Sequence, residues 1–263
     1  MTNHQLSKIL SLKSLTKESD KMKINIFKTK EELYKDVANY YINVLQKKPQ
    51  ITLGLATGST PISLYQKLID AYKQKLISFK SVTTVNLDEY IGLSSIHPQS
   101  YRAFMNQHLF NHVDIMMDQT YVPSGTIDPN DAAVQYQELI KNHPVDIQLL
   151  GLGGNGHIGF NEPGTPFDSI THIVKLAQET RIDNQRFFKS IDEVPTHAIT
   201  MGIKEVMQAK EIILIATGLN KADAVKAMIE GEVKPHVPAS ILQNHPQVIV
   251  YIDEDAASKL RHK

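Results

Sequence analysis

The chain contains no cysteine. Disulfides and thiolate metal sites are therefore excluded, and a reducing cytosol is its simplest home, so a cytoplasmic location is expected. Net charge is also lacking, because 28 basic side chains balance 28 acidic ones. That balance gives no electrostatic reason to expect nucleic acid or a membrane surface as a partner. No apolar run approaches the length of a membrane span. No internal repeat or low-complexity linker divides the 263 residues. Hydrophobic content is 41%, enough for a chain of this length to bury a core.

The first 21 residues carry Leu6, Ile9, Leu10, Leu12 and Leu15, broken by Lys8, Lys13 and serines. An export signal needs an uninterrupted apolar stretch, which is missing here. This stretch reads as a disordered tail or an upstream extension. Met22 directly precedes the first strand-like run and is a candidate start of translation. Residues 22–263 read as a single domain.

Strand-like and helix-like segments alternate through that domain. Ile24–Phe27, Ile51–Ala56, Val82–Leu87, Val145–Leu152, Ala198–Met201, Ile212–Ala216 and Val248–Ile252 read as strands. Lys30–Leu45, Pro61–Leu76, Ser100–Phe110, Ala132–Lys141 and Lys221–Glu230 read as helices. Such alternation predicts an α/β fold: one Rossmann-like domain, a mainly parallel sheet, and helices on both faces. Ligands in such folds bind outside the carboxyl ends of the strands.

Four strand ends carry chemistry. Val145–Leu150 runs into Gly151-Leu152-Gly153-Gly154-Asn155-Gly156-His157-Ile158-Gly159-Phe160-Asn161-Glu162-Pro163-Gly164. The glycines and the proline force an irregular loop that holds one imidazole and one carboxylate five residues apart. The same run spells G-x-G-x-x-G from Gly151 to Gly156, and Glu179 lies roughly where a ribose-binding acid falls. A dinucleotide site needs the last glycine to open a helix, and Pro163 with two further glycines prevents that.

Ala56-Thr57-Gly58-Ser59-Thr60-Pro61 forms a strand-to-helix junction. Thr60 is placed to cap the helix and Pro61 to begin its first turn. Free amides, hydroxyls and the helix dipole there suit a phosphate, although a plain capped turn would look the same. The Walker lysine is absent, so a sugar phosphate fits better than a nucleoside triphosphate. Asn86-Leu87-Asp88-Glu89-Tyr90 closes its strand with two carboxylates, either a general base or a solvated acidic turn. Lys221 enters the next helix where a cation is disfavoured by the dipole, unless an anion binds there. Arg186 stands in Asn184-Gln185-Arg186-Phe187-Phe188 and suits bidentate phosphate contact, or is an ordinary surface arginine. His108 and His112 lack the glutamate of a zinc-protease helix and read as surface or half-buried residues. Tyr34, Tyr40 and Tyr41 read as core or rim.

Together, Ala56–Pro61, Asn86–Leu93, His97–Tyr101, Gly151–Pro163, Asn184–Phe188 and Lys221 resemble the glucosamine-6-phosphate deaminase family. The resemblance spans about Met22 to Asp253. It implies conversion of glucosamine 6-phosphate and water to fructose 6-phosphate and ammonia in amino-sugar catabolism, and an enzyme placed in the hydrolase class. His157 then matches the acid/base that opens the sugar ring, and Glu162 the carboxylate that orients it. Asp88 matches the base that takes the C2 proton, a transfer typically worth about 10²–10⁴-fold. The catalytic set is Asp88, Asn155, His157 and Glu162. Thr57, Gly58, Ser59, Thr60, Arg186 and Lys221 map to the substrate phosphate. No step needs a metal or another cofactor. The segment from about Leu176 to Pro195 resembles the family's mobile lid.

Asn155 stands where some members carry aspartate, so His157 feels one fewer carboxylate. His172 stands where effector-activated hexamers carry an arginine, and the chain ends soon after Asp253, without their C-terminal helix. An effector site is therefore expected to be absent, and the resemblance leaves monomer or homo-oligomer undecided. The related 6-phosphogluconolactonases carry Asp-Glu-Arg in place of Asp88-Glu89-Tyr90 and lack the Phe160–Pro163 ending. A non-catalytic sugar-phosphate sensor would need a DNA-binding unit, for which 21 residues are too short.

Overall fold

The computed structural model describes residues 22–261. The expectation of a tail or extension over residues 1–21 lies outside the described residues. In chain order the elements are β1 (Met22–Phe27), α1 (Lys30–Lys47), β2 (Ile51–Leu55), α2 (Ile62–Lys73), β3 (Val82–Asn86), β4 (Asp88–Tyr90), α3 (Tyr101–His108) and β5 (Thr120–Tyr121). Then follow α4 (Pro129–Asn142), β6 (Ile147–Gly151), β7 (His172–Lys175), α5 (Gln178–Asn184), β8 (His197–Thr200), α6 (Ile203–Val206), β9 (Glu211–Ala216), α7 (Ala222–Glu230) and β10 (Val248–Asp253).

Local chemistry explains the boundaries. Thr29 and Glu32 form a reciprocal capping box at the start of α1. Asp128 caps α4, with Pro129 in its first turn. Ser100 caps α3, so the expected helix from Ser100 begins one residue later.

Seven strands form a fully parallel sheet in the order β1-β10-β9-β6-β2-β3-β5. Every residue of β9 is buried, as a central strand covered on both faces requires. The order turns back between β2 and β6. Their carboxyl ends diverge there and leave a crevice at the switch point.

The expectation of one mainly parallel sheet needs an addition. β8 does not join the large sheet. It pairs antiparallel with β4 and β7 in a separate three-stranded sheet. Thr200 is paired with Asp88 on one side and His172 on the other. The strand read as Val82–Leu87 ends at Asn86, and the chain turns there into the small sheet. That sheet packs its own apolar group, Tyr90, Phe160, Leu176 and Ala198, beside the main core. It therefore carries Asp88 to the mouth of the crevice.

Candidate active site

A cavity of ≈ 500 Å³ opens over the switch point. The loop after β2 supplies Thr57, Gly58, Ser59 and Thr60 to its wall. The joint between β3 and β4 supplies Asp88, the loop after β6 supplies His157, and the loop after β9 supplies Lys221. Arg186 reaches the same cavity from the segment after α5. Asn155 and Glu162 lie outside the wall and stand behind His157.

The loop after β6 is built to hold an imidazole. Gly153 donates to His157 O at 2.9 Å, and Gly156 to Gly153 O at 3.0 Å. A Cβ on Gly153 would lie 2.3 Å from His157 Nδ1, so only glycine permits this approach. Asn161 is buried and donates to Ile158 O and Met201 O, both at 2.9 Å, which fastens the loop to the small sheet. His157 Nδ1 meets Asn155 Oδ1 at 2.8 Å. Asn155 Nδ2 donates to Glu162 Oε2 at 3.0 Å. An amide oxygen only accepts, so Nδ1 carries the proton and Nε2 of the neutral ring is left as the acceptor.

Glu162 Oε2 is also 3.6 Å from His157 Nδ1. The short contacts run through the Asn155 amide, and the carboxylate acts on the imidazole mainly through its field. Burial alone would raise the Glu162 pKa. Hydrogen bonding from the His157 side and from Thr180, the charge of the imidazole when it is protonated, and the Asn155 amide outweigh burial and hold it down to about 2.

Asp88 and Glu89 are both buried, so the reading of a solvated acidic turn is corrected. The small sheet covers this end of β3 and removes its water. The two carboxyls diverge. Glu89 accepts from the amides of Tyr90 at 2.9 Å, Tyr101 at 2.8 Å and Arg102 at 3.0 Å. It thereby holds the N-terminus of α3 and is absent from the cavity wall. Burial pushes its pKa up, these amides pull it back, and it settles at about 7. Asp88 faces the cavity with no such set of donors. Burial, then the neighbouring Glu89 charge, push it up to about 8.

Arg186 and Lys221 make part of the cavity wall cationic. Gly58 adopts a φ of 86°, which turns the loop after β2. Among the described residues, no acceptor in the chain receives the amides of Thr57, Gly58, Ser59 or Thr60. The expected Thr60 cap is not made. The N-cap of α2 is Pro61, without a side-chain bond, and Pro61 is not in the first turn. The Thr60 carbonyl is held instead by Tyr34 Oη at 2.7 Å, which fixes the loop to α1. Arg186 Nη2 lies 3.4 Å from Ser59 Oγ, and its guanidinium sits 4.8 Å from the centre of the Phe187 ring. Lys221 is the N-cap residue of α7 and not inside its first turn. Burial and the nearby Arg186 charge lower its pKa, while Asp183 opposes them. Two cations beside unpaired amides at a helix start are chemistry suited to an anion.

Several wall residues were not read from the sequence as site residues. Thr180 gave no signal of its own, and Asp183 and Asn220 were equally silent. Tyr101 belongs to the His97–Tyr101 motif, and it lines the cavity with its ring centre 4.8 Å from that of Tyr90. Tyr34 is buried as expected, yet its hydroxyl serves the site. His108 packs tilted against Phe104 and His112 meets Gln107 O, away from the cavity. Among the described residues, no group of three metal-ligating side chains assembles, and no helix is long and apolar enough to cross a membrane.

The profile of the family described as "Glucosamine-6-phosphate isomerases/6-phosphogluconolactonase" matches residues 28–250. A glucosamine-6-phosphate deaminase of Bacillus pumilus is 48% identical over 239 residues, which is 90% of this chain and 99% of the relative. A solved monomeric glucosamine-6-phosphate deaminase is 44% identical, with a TM-score of 0.87 over 89% of this chain and 98% of its own. The 6-phosphogluconolactonase of Trypanosoma brucei is 19% identical with a TM-score of 0.73, covering 90% and 98% of the two chains, and shares the fold alone. These findings correct the hydrolase class expected above. The relatives are named deaminases, and the family is described by its isomerases. This chain belongs to the glucosamine-6-phosphate isomerase/6-phosphogluconolactonase family.

Proposed function

We propose that this chain is a glucosamine-6-phosphate deaminase of amino-sugar catabolism, producing fructose 6-phosphate and ammonia. One observation carries the reading. A single cavity is lined by a desolvated carboxyl, an oriented imidazole, and a loop with free amides beside two cations.

Each feature matches a step. The substrate phosphate binds the Thr57–Thr60 loop, Arg186 and Lys221, and its binding energy positions C1 and C2. His157 Nε2 takes the proton of the O1 hydroxyl and returns one to the ring oxygen, which opens the ring. Asp88 removes the C2 proton from the open aldehyde and leaves an enolamine. The substrate ammonium beside Asp88 favours its charged, basic form against burial. Proton return to C1 gives an imine, and water releases ammonia from it. Asn155 and Glu162 act by holding His157. Residues 22–263 form the catalytic domain, and the cytosol is its location. Likeness to an enzyme described as monomeric supports a monomer.

The test is to incubate the purified chain with glucosamine 6-phosphate and assay ammonia and fructose 6-phosphate, with 6-phosphogluconolactone as the comparison substrate. Equal release of both products from the amino sugar is expected. Lactone hydrolysis without ammonia would reverse the assignment.

A further inference from the structure

Glu162 is the middle of a chain whose outer end lies on another element. Thr180, buried in α5, donates its hydroxyl to Glu162 Oε1 at 2.5 Å. The second oxygen, Oε2, receives Asn155 Nδ2. An ionised carboxylate only accepts, so it turns the amide nitrogen of Asn155 toward itself and the amide oxygen toward His157. The tautomer of His157 is thus set by a carboxylate whose other oxygen is held by Thr180.

The rest of this segment is held at the same cavity. Arg186 approaches Ser59, and Phe188 packs edge-on against Tyr90 with centres 5.9 Å apart. Arg181 Nη2 donates to Ile191 O at 2.7 Å and Val194 O at 3.1 Å, which closes the segment on itself. With Asp at position 155, a charged group would bond the imidazole directly. With Asn155, the amide has two possible orientations, and only an ionised, correctly placed Glu162 selects one.

We propose that Thr180 is a positioning residue for the ring-opening step, whose hydroxyl fixes Glu162 and through Asn155 the Nδ1–H tautomer of His157. The inference rests on the deaminase reading above.

Thr180→Val removes the hydroxyl and keeps the shape. Its kcat should fall about 10–100-fold, the range for loss of a hydrogen bond to a charged group. KM should stay within about twofold, because the phosphate ligands are untouched. Thr180→Ser should recover kcat to within about threefold of wild type, since the donor returns. In a Glu162→Gln background, Thr180→Val should cost less than about twofold, since the partner charge is gone. Thr180→Ala supplies the same deletion if the valine variant does not fold. Unchanged kcat on deletion, an equal loss in the Glu162→Gln background, or a serine variant no better than valine would each overturn the role of Thr180. A wild-type chain that releases no ammonia would instead remove the deaminase reading itself.

Discussion

At the scale of single residues, the site is costly to stability where it is useful to chemistry. Asp88 has its pKa pushed up to about 8 by burial and by Glu89, whereas an aspartate in an unfolded chain titrates near about 3.9. Between these values the unfolded state ionises while the native state keeps its proton. The unfolded state then binds fewer protons, so stability falls as pH rises through this window. The Asp88 contribution is fully present below about pH 4 and lost by about pH 8. Asp88→Asn should therefore stabilise the fold by at least about 2 kcal/mol at pH 8 and by almost nothing at pH 4. It should also abolish solvent exchange at substrate C2 with substrate binding nearly intact. Thermal unfolding at the two pH values, and deuterium uptake at C2, check both parts. A gain independent of pH, or exchange at the wild-type rate, would remove Asp88 from the role of base. On the cationic part of the cavity wall, Arg186→Ala and Lys221→Ala should each lower kcat/KM for glucosamine 6-phosphate by about 10–100-fold, as loss of a charge-assisted contact does. An unchanged kcat/KM would mark them as ordinary surface cations.

At the scale of elements, the loop after β6 acts as a mould for His157. Its glycines were legible as loop formers, but their separate duties were not. Gly153 gives way to the imidazole, whereas a Cβ on Gly154 would meet nothing within 4 Å. Gly153→Ala should displace His157 and cost about 10²-fold in kcat, the scale of a misplacement near 1 Å. Gly154→Ala should retain activity. Steady-state kinetics of the pair, with circular dichroism to check folding, separates the two positions. Equal activity would mean that the loop relaxes around the added methyl. The principal strands and helices were legible in the same way, from apolar runs and caps. β4, β5, β7, α5 and α6 were not, since elements of two to seven residues carry too little periodicity to read.

At the scale of the whole molecule, the small antiparallel sheet joins the candidate base to a second position of interest. β8 pairs with Asp88 through β4 on one edge and with His172 through β7 on the other. His172 Nδ1 meets Ile170 O at 2.7 Å in its own chain. An imidazole is a weaker phosphate ligand than a permanently charged guanidinium. An effector shifts a population only through different affinities for two states. Rates should therefore be hyperbolic in glucosamine 6-phosphate and insensitive to N-acetylglucosamine 6-phosphate. Saturation curves with and without the acetylated sugar check this, and a sigmoid made hyperbolic by it would reveal a pocket built from other residues.

What the sequence determined by itself is what local chemistry governs. Alternating apolar periods specify the strand–helix units, and turn residues at strand ends mark Thr57–Thr60, Asp88 and the His157 loop. Only the tertiary structure decided what those residues experience. The pairing of β4 with β8 buries Asp88 and Glu89, and desolvation belongs to the whole neighbourhood rather than to a motif. The crossing of α5 over the cavity brings Thr180 onto Glu162 from 18 residues away, a contact with no sequence period. The two carboxyls of one dipeptide part company for the same reason: packing gives Glu89 three amides and leaves Asp88 to the cavity.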